Sequence, residues 1–535
     1  MESTNDALID IEKTVAVFMN RSEKLLDILY KCFQQKITYI PIDVSWPLDR
    51  INYVLRDSKV KRIITERKYT DLFPEYECLT IENSNEIDQL FSCMNNNEIS
   101  YVLYTSGSTG TPKGVAIKRT SLINLIEGIT EIIDLSSNDT IACITSVSFD
   151  IFFVESIMAK YLGMNVVMAN NEEQNNPKYL ARLIQENGVN VIQMTPSRMQ
   201  LLLLYDEELK CLKNVRCIMI GGEAFPLNLL KILQKKTKAK IFNMYGPTET
   251  TVWSTISELT NKNKIDIGLP IKNTQIYILN EKQEIITDGS VGEICIAGEG
   301  LAKGYIGKKE LTEEKFVKIP ELNNTLIYHT GDSGRYSESG EIECLGRIDN
   351  QIKLNGYRIE LEEIEANMAR FEGITQALVV LEKQNEISKL VAYYIGNQIF
   401  DPAKIIRFLK TKIPLYMIPS EFHRVNEFKY TSSGKIDRHS ISSKGFVGED
   451  EKTKNSIDEK QKDILRNVCN SVKKDISEED LMKLSFSDAG IDSVTYYGII
   501  AKLEDTYDIV FDEYALHAMN FYRISDFIEY CGQFV

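Results

Sequence analysis

The stretch Thr105-Ser-Gly-Ser-Thr-Gly-Thr-Pro-Lys-Gly-Val115 directly follows the run Tyr101-Val-Leu-Tyr104. The aromatic and β-branched residues of that run predict a strand. The segment after it is dense in hydroxyls and glycines and carries one lysine, so it can present backbone N–H groups, hydroxyls and a cation to phosphate oxygens. It does not fit G-x-x-x-x-G-K-[ST], because Gly107 is followed by Gly110 and Lys113 rather than by a glycine-lysine pair five residues on.

Outward from this loop, up to about residue 345, short β-branched runs alternate with amphipathic segments, which predicts α/β layering. Thr14-Val-Ala-Val-Phe18, Val189-Asn-Val-Ile-Gln193 and Val215-Arg-Cys-Ile-Met-Ile220 are such runs. Between Gly292 and Gly346 short strands with glycine turns predict a β-rich subdomain. A smaller α+β unit is expected over 349–444, with a helix near Leu361 to Arg370 and a strand at Ala377-Leu-Val-Val-Leu381. Residues 445–457 are charged and poor in apolar side chains and read as a linker. In 458–535 the spacing of Ile464, Leu465, Val468 and Val472 suits a small helical bundle. The first unit is then 1–348.

The 535 residues carry 62 Lys+Arg and 77 Asp+Glu, a net charge of −15, and 43% of positions are hydrophobic. This is a soluble, globular, multidomain composition. The acidic surplus argues against nucleic acid or a membrane surface as partner. An acidic amino terminus with no apolar signal core, and no long apolar run, points to the cytoplasm. Ten cysteines without a C-x-x-C, and the four histidines His329, His423, His439 and His517, show no metal-ligand spacing.

Further segments share the order of a known family: Tyr39-Ile-Pro-Ile-Asp43, Phe149-Asp150, Asn243-Met-Tyr-Gly-Pro-Thr-Glu-Thr250, Gly292-Glu-Ile-Cys-Ile-Ala-Gly298, Tyr328-His-Thr-Gly-Asp332, Gly346-Arg-Ile-Asp349, Gly356-Tyr-Arg-Ile-Glu360 and Ser433-Gly-Lys-Ile-Asp437. With the 105–115 loop they resemble the acyl-adenylate-forming superfamily, and within it the adenylation domains of nonribosomal peptide synthetases. The resemblance implies an α/β multidomain chain. It has a large adenylate-forming core with a β-rich subdomain, a small mobile α+β subdomain, and then an all-α four-helix carrier bundle.

Adenylation joins a carboxylate to the α-phosphate of ATP and expels pyrophosphate, so cations and fixed dipoles are required where charge builds. By resemblance, Thr105, Ser106, Gly107, Ser108, Thr109, Gly110 and Lys113 hold the β- and γ-phosphates, with Thr248 at the nucleotide as well. Glu249 helps hold Mg2+, Tyr245 stacks on adenine, and Asp332 accepts from the ribose hydroxyls with Arg347 nearby. Lys435 is the catalytic lysine that reaches the substrate carboxylate and the α-phosphate. Asp349 falls at the hinge position, about which the small subdomain rotates to withdraw Lys435 and bring up the face around Gly356 and Tyr357.

Phe149-Asp150 matches the family position whose aspartate pairs with a substrate α-ammonium. The rest of the pocket carries across as Ile151, Val154, Gln193, Met219, Gly221, Met244, Val252 and Trp253, with Lys435. Large side chains fill this set and no second charge answers an ionic substrate, so the resemblance implies a small amino acid, glycine before alanine. One carbon is worth on the order of 1–3 kcal/mol in such a pocket.

In the tail, Asp488-Ala-Gly-Ile-Asp-Ser493 precedes an amphipathic stretch with Val494, Tyr497, Ile500 and Leu503. It resembles the 4'-phosphopantetheine attachment site of peptidyl carrier proteins, with Ser493 as the modified residue. A serine at a helix start is also an ordinary N-cap, and a phosphodiester there would meet the positive helix end. The implied partners are a phosphopantetheinyl transferase and a downstream synthetase or condensation module; whether a small activator protein or a polypeptide supplying the amino-terminal segment joins them is left open by the sequence. About 50 residues, helix and strand included, that the family carries before the segment matching Thr14–Phe18 have no counterpart here; either the fold tolerates the deletion, or another polypeptide supplies the piece, or the catalytic core is weakened, and apolar surface that the segment covers would otherwise face water. His329 and Asn355 stand where arginine is frequent. The alternatives are an acyl- or aryl-CoA ligase, against which Asp150 and the tail count, and a carrier scaffold whose adenylation core is inactive without a partner.

Overall fold

The computed structural model describes residues 8–81, 97–107, 110–349, 351–354, 357–384, 387–429, 459–469, 476–482, 493–507 and 524–531, with single residues between some of these. The chain divides into two compact units, Met1–Ser106 with Pro112–Arg358, and Gly107–Thr111 with Ile359–Val535.

The first unit contains two seven-stranded sheets among its described residues. In one, the strand Thr14–Phe18 runs parallel to Thr38–Ile42 on one side and to Arg62–Thr65 on the other. All five of its residues are buried, as a strand covered on both faces requires. Successive side chains alternate between faces: Val15 and Val17 join one apolar cluster with Leu25 and Leu29, whereas Ala16 and Phe18 join another with Ile51 and Val54. The second sheet repeats this logic. Cys217 and Met219 enter the same cluster as Val15 and Val17, while Ile218 and Ile220 face Leu229 and Leu233. One apolar core is thus common to both sheets, and each fully buried aliphatic side chain in it contributes about 1.5–3 kcal/mol.

Local signals delimit the elements. Ser22 accepts from the Leu25 N–H at 3.2 Å and caps the helix Glu23–Gln35, which ends on Lys36 at φ 57°. The expected run 101–104 lies in the strand Ile99–Thr105, and the runs at 189–193 and 215–220 give the strands Val191–Met194 and Cys217–Gly221. The glycine-punctuated region forms an antiparallel sheet of Thr274–Leu279, Gly292–Gly298, Thr325–Tyr336, Phe316–Ile319 and Ile342–Arg347.

In the second unit the helix Leu361–Met368 precedes the antiparallel strands Ile374–Gln384 and Ile387–Gly396, with Glu421–Arg424 added in parallel. The tail helices Glu459–Cys469, Ser493–Tyr507 and Ile524–Cys531 share one apolar cluster. Ile464, Leu465, Val468, Ile500 and Leu503 are buried in it, joined by Tyr496 and Ile499. Phe486 and Phe527 pack edge-on against each other at 5.5 Å. Val472, the side chains of Val494 and Tyr497, and the expected linker lie outside the described residues. Among the described residues no helix is long and apolar enough to cross a membrane.

Candidate functional site

The strand Ile99–Thr105 pairs antiparallel with Lys113–Lys118, and Thr105 stands opposite Lys113, so the expected phosphate loop is the connection of a β-hairpin. The Thr105 hydroxyl is buried without a hydrogen-bond partner, the condition of a polar atom that a ligand oxygen would satisfy. Ser106 donates to the Arg358 carbonyl at 2.9 Å. Within the second unit, the Gly107 N–H donates to a Glu363 carboxylate oxygen at 3.4 Å, so a carboxylate occupies a donor of the kind a phosphate would take. Gly110 has φ +78°, and a Cβ there would lie 2.7 Å from that of Ala366. Ser108 and Thr109 lie outside the described residues.

Glu249 is fully buried in the short turn Thr248–Thr250. Arg358 donates to it at 2.6 Å, the Tyr305 hydroxyl donates at 2.8 Å, and the Lys113 ammonium lies 3.5 Å away. Burial alone would raise the Glu249 carboxyl, but Arg358 and Lys113 outweigh it and hold the group well below the usual carboxylate range. An ionised, hard oxygen donor fits Mg2+.

Asp332 and Arg347 face each other across the pair Thr325–Tyr336 and Ile342–Arg347. The Tyr245 hydroxyl donates to Asp332 at 2.7 Å, and Arg347 donates to Asp332 at 3.2 Å and to the Thr330 carbonyl at 2.8 Å. Arg347 also pairs with Asp349 at 2.8 Å; burial pushes the Asp349 carboxyl up, and Arg347 turns the balance to hold it low. The residues expected at adenine and ribose are therefore one hydrogen-bonded group. Beneath them His329 pairs with Glu293 at 2.8 Å and meets the Cys295 thiol at 3.5 Å, while Glu293 accepts the Gly331 N–H at 2.8 Å. Sequence spacing gave no sign of this cluster. Cys295 and His329 are direct cross-strand partners, and an irregularity between Glu293 and Cys295 re-aims the carboxylate.

The expected amino-acid pocket assembles at the carboxyl ends of the second sheet. Asp150 caps the Ile151 N–H at 2.8 Å and accepts from Thr248 at 2.6 Å. Burial pushes its carboxyl up against these two hydrogen bonds and the more distant Arg358 charge, and a substrate ammonium would supply an opposite charge in direct contact. Met219 stands opposite Gln193 and Gly221 opposite Met244. A Cβ on Gly221 would fall 2.6 Å from both the Met244 carbonyl and Trp253 Cη2, so only glycine lets the indole approach. A Cβ on Gly222 would stand 3.5 Å from Ile151. Val154 opens a π-helical turn, Val154–Met158, of the kind often found at functional sites. Val154, Met219, Met244, Val252 and Trp253 belong to one apolar cluster.

Two residues that sequence reasoning did not single out complete this site. Glu155 is fully buried beside Gln193, and Arg358 pairs with Glu249. The one available signal for Glu155 was a lone carboxylate inside the apolar run from Ile151 to Met158. Lys435 lies outside the described residues, and Ser493 begins the helix Ser493–Tyr507 although its side chain is not among those described.

A two-sheet α/β core with an antiparallel subdomain, a hydroxyl-rich hairpin and a buried carboxylate among cations is the constellation of an adenylate-forming ligase. A family model described as AMP-binding enzyme matches residues 9–306. The chain belongs to that family, as an adenylation domain of the nonribosomal peptide synthetase type. It is 36% identical over 451 residues, 81% of its length, to a dimodular nonribosomal peptide synthase of Bacillus subtilis (strain 168), of which it spans 19%. It is 33% identical over 446 residues to tyrocidine synthase 1 of Brevibacillus parabrevis, again over 81% of its length, and spans 40% of that protein. The chain thus covers less than half the length of these curated relatives. Among solved structures, a holo four-domain nonribosomal peptide synthetase bound to AMP and glycine is similar at 30% identity and TM-score 0.60, covering 98% of this chain and 39% of that one. A holo protein with adenylation and PCP domains shares the fold at 22% identity and TM-score 0.74, over 92% of this chain and 84% of that one.

Proposed function

We propose that the chain activates glycine with ATP as the aminoacyl adenylate and passes it to the thiol of a 4'-phosphopantetheine arm on Ser493. The observation that carries the amino-acid choice is the pocket: Asp150 supplies one carboxylate, and Trp253, wedged against Gly221 and Met244, fills the space a side chain would need. The solved relative that holds AMP and glycine supports the same reading.

Asp150 pairs with the α-ammonium and so turns the substrate carboxylate outward. Thr105, Ser106, Gly107, Gly110 and Lys113 orient the phosphates, and Tyr245 with Asp332 and Arg347 fixes adenine and ribose. Glu249 would hold Mg2+, which when bound would supply positive charge beside the phosphates. The substrate carboxylate oxygen attacks the α-phosphorus and the bond to the pyrophosphate oxygen breaks; Lys435 stabilises the charge that develops there. The start of the helix Ser493–Tyr507 suits a phosphodiester on Ser493. The reading places the protein in the cytoplasm, with a phosphopantetheinyl transferase before it and a condensation module after it.

Amino-acid-dependent ATP–pyrophosphate exchange across the proteinogenic amino acids tests the proposal. Exchange that peaks with glycine supports it. A peak with a large or anionic side chain overturns the pocket reading.

A further inference from the structure

Behind the pocket lies a buried polar chain that the chemistry above does not use. The Trp253 indole N–H donates to Gln193 Oε1 at 3.2 Å, and Gln193 Nε2 donates to Glu155 Oε1 at 3.4 Å. Glu155 is anchored in turn. Its Oε2 accepts the Ile144 N–H at 2.7 Å and the Thr145 N–H at 2.8 Å, and its Oε1 accepts the Thr145 hydroxyl at 2.6 Å. Trp253, Gln193 and Glu155 are all buried.

Hydrogen-bond polarity gives this chain a direction. Glu155 receives four donors, and the indole N–H can only donate. Gln193 must therefore turn its amide nitrogen to Glu155 and its oxygen to Trp253. The flipped amide would set two donors face to face at the indole and an oxygen against the carboxylate, which buried groups do not tolerate. Glu155 thereby decides the amide orientation, the amide fixes the indole, and the indole lies against Gly221.

We infer that Glu155 is a positioning residue for side-chain selection: through Gln193 it holds the Trp253 indole where it excludes a substrate β-carbon. The inference rests on the amino-acid pocket proposed above. Glu155 touches no substrate atom in this account and acts through two side chains.

The test uses the full chain with Glu155→Gln, and with the exchanged pair Glu155→Gln with Gln193→Glu, in which residue 155 donates, residue 193 accepts and the direction toward the indole is kept. Two readouts are needed. The first is the indole 15N–1H resonance of Trp253, assigned against Trp46→Phe, in tryptophan-labelled protein. The second is the ratio of kcat/KM in exchange for the amino acid the wild type prefers over its homologue one carbon larger. Such a ratio stands at about 10-fold to 200-fold in hydrophobic pockets. In Glu155→Gln the indole resonance shifts or broadens and the ratio falls about 10-fold, and the exchanged pair restores both to within about threefold. An unmoved indole resonance in Glu155→Gln overturns the inference. So does a moved resonance with an unchanged ratio, which is what a merely structural role gives. Wild-type protein that prefers a large amino acid defeats the glycine reading and with it the exclusion of the β-carbon; the ratio, taken then for that acid and its homologue, together with the indole resonance still decides whether Glu155 positions the indole for side-chain selection. If the wild type exchanges with none, the proposed function fails and the indole resonance decides the positioning chain.

Discussion

Replacing Arg358 by alanine leaves the fully buried Glu249 carboxylate with the Tyr305 hydroxyl at 2.8 Å and the Lys113 ammonium at 3.5 Å. The lost partner is the nearer cation, a charge-assisted hydrogen bond of 2.6 Å to a side chain with no exposure. Breaking such a pair from one side costs about 3–5 kcal/mol, because the remaining charge is uncompensated. Lys113 stays in place, so the lower end, about 3 kcal/mol, is expected. Urea unfolding followed by tryptophan fluorescence reads this cleanly, since the only tryptophans, Trp46 and Trp253, both lie in the first unit. Adding Glu249→Gln should recover at least about 1 kcal/mol of the loss, the sign of a coupled pair in a double-mutant cycle. Acid provides a second arm. Glu249 is held low in the folded protein, so its contribution is fully present above roughly pH 5 and fades as pH falls through the folded value. In Arg358→Ala the folded value rises toward the unfolded one, so that decline is smaller than in the wild type. Mg2+ at ten times its Kd for the variant should also stabilise the variant by about 1.4 kcal/mol, and at that same concentration should stabilise the wild type less. A loss below about 0.5 kcal/mol for Arg358→Ala, or zero coupling in the cycle, would refute the reasoning.

Trp253→Ala removes the pocket's wedge, and exchange should extend to amino acids with larger side chains while stability drops by about 3–5 kcal/mol; an unchanged acceptance range sinks the pocket assignment. Lys435→Ala should slow adenylate formation by about 100-fold to several thousand-fold, the equivalent of about 3–5 kcal/mol, with binding of ATP little changed; single-turnover kinetics check this, and a loss confined to ATP affinity contradicts the assigned role. Ser493→Ala should abolish covalent capture of labelled glycine by enzymatically primed protein and leave exchange at the wild-type rate. Captured label in that variant would place the carrier function elsewhere.

What the sequence made legible is what chemistry or periodicity writes locally. The 105–115 loop had to be rich in donors to face phosphates, and the short apolar runs Thr14–Phe18 and Cys217–Gly221 are visible because each strand is buried on both faces by different clusters. Long-range pairings carry no such mark. Arg358 and Glu249 are 109 positions apart, and Glu155 meets Gln193 across 38. No local rule joins a tyrosine-arginine dipeptide near the end of the first unit to a threonine-glutamate turn in its second sheet. His329 likewise stood out only as a departure from arginine, and its pairing with Glu293 and Cys295 follows from strand register, which the sequence does not state.

The backbone around Trp253 shows why the pocket resisted a purely local reading. Thr251 and Val252 both take positive φ, 65° and 64°, which β-branched residues adopt only under constraint, at about 1–3 kcal/mol each. The constraint is visible in the structure. Thr251 donates through its hydroxyl to the Gly300 carbonyl at 2.6 Å, the Trp253 N–H closes back on Thr251 at 2.8 Å, and the Ser254 N–H donates to the Tyr245 carbonyl at 2.8 Å. A Cβ on Gly246 would fall 2.5 Å from the Val252 carbonyl, so the turn can fold back only over a glycine. Strain held from several sides in this way aims the indole into the pocket and ties it through the same turn to Tyr245, whose hydroxyl meets Asp332. The proposed amino-acid side and the proposed nucleotide side of the site are thus carried by one overdetermined loop, and propensity alone would not have assigned its conformation.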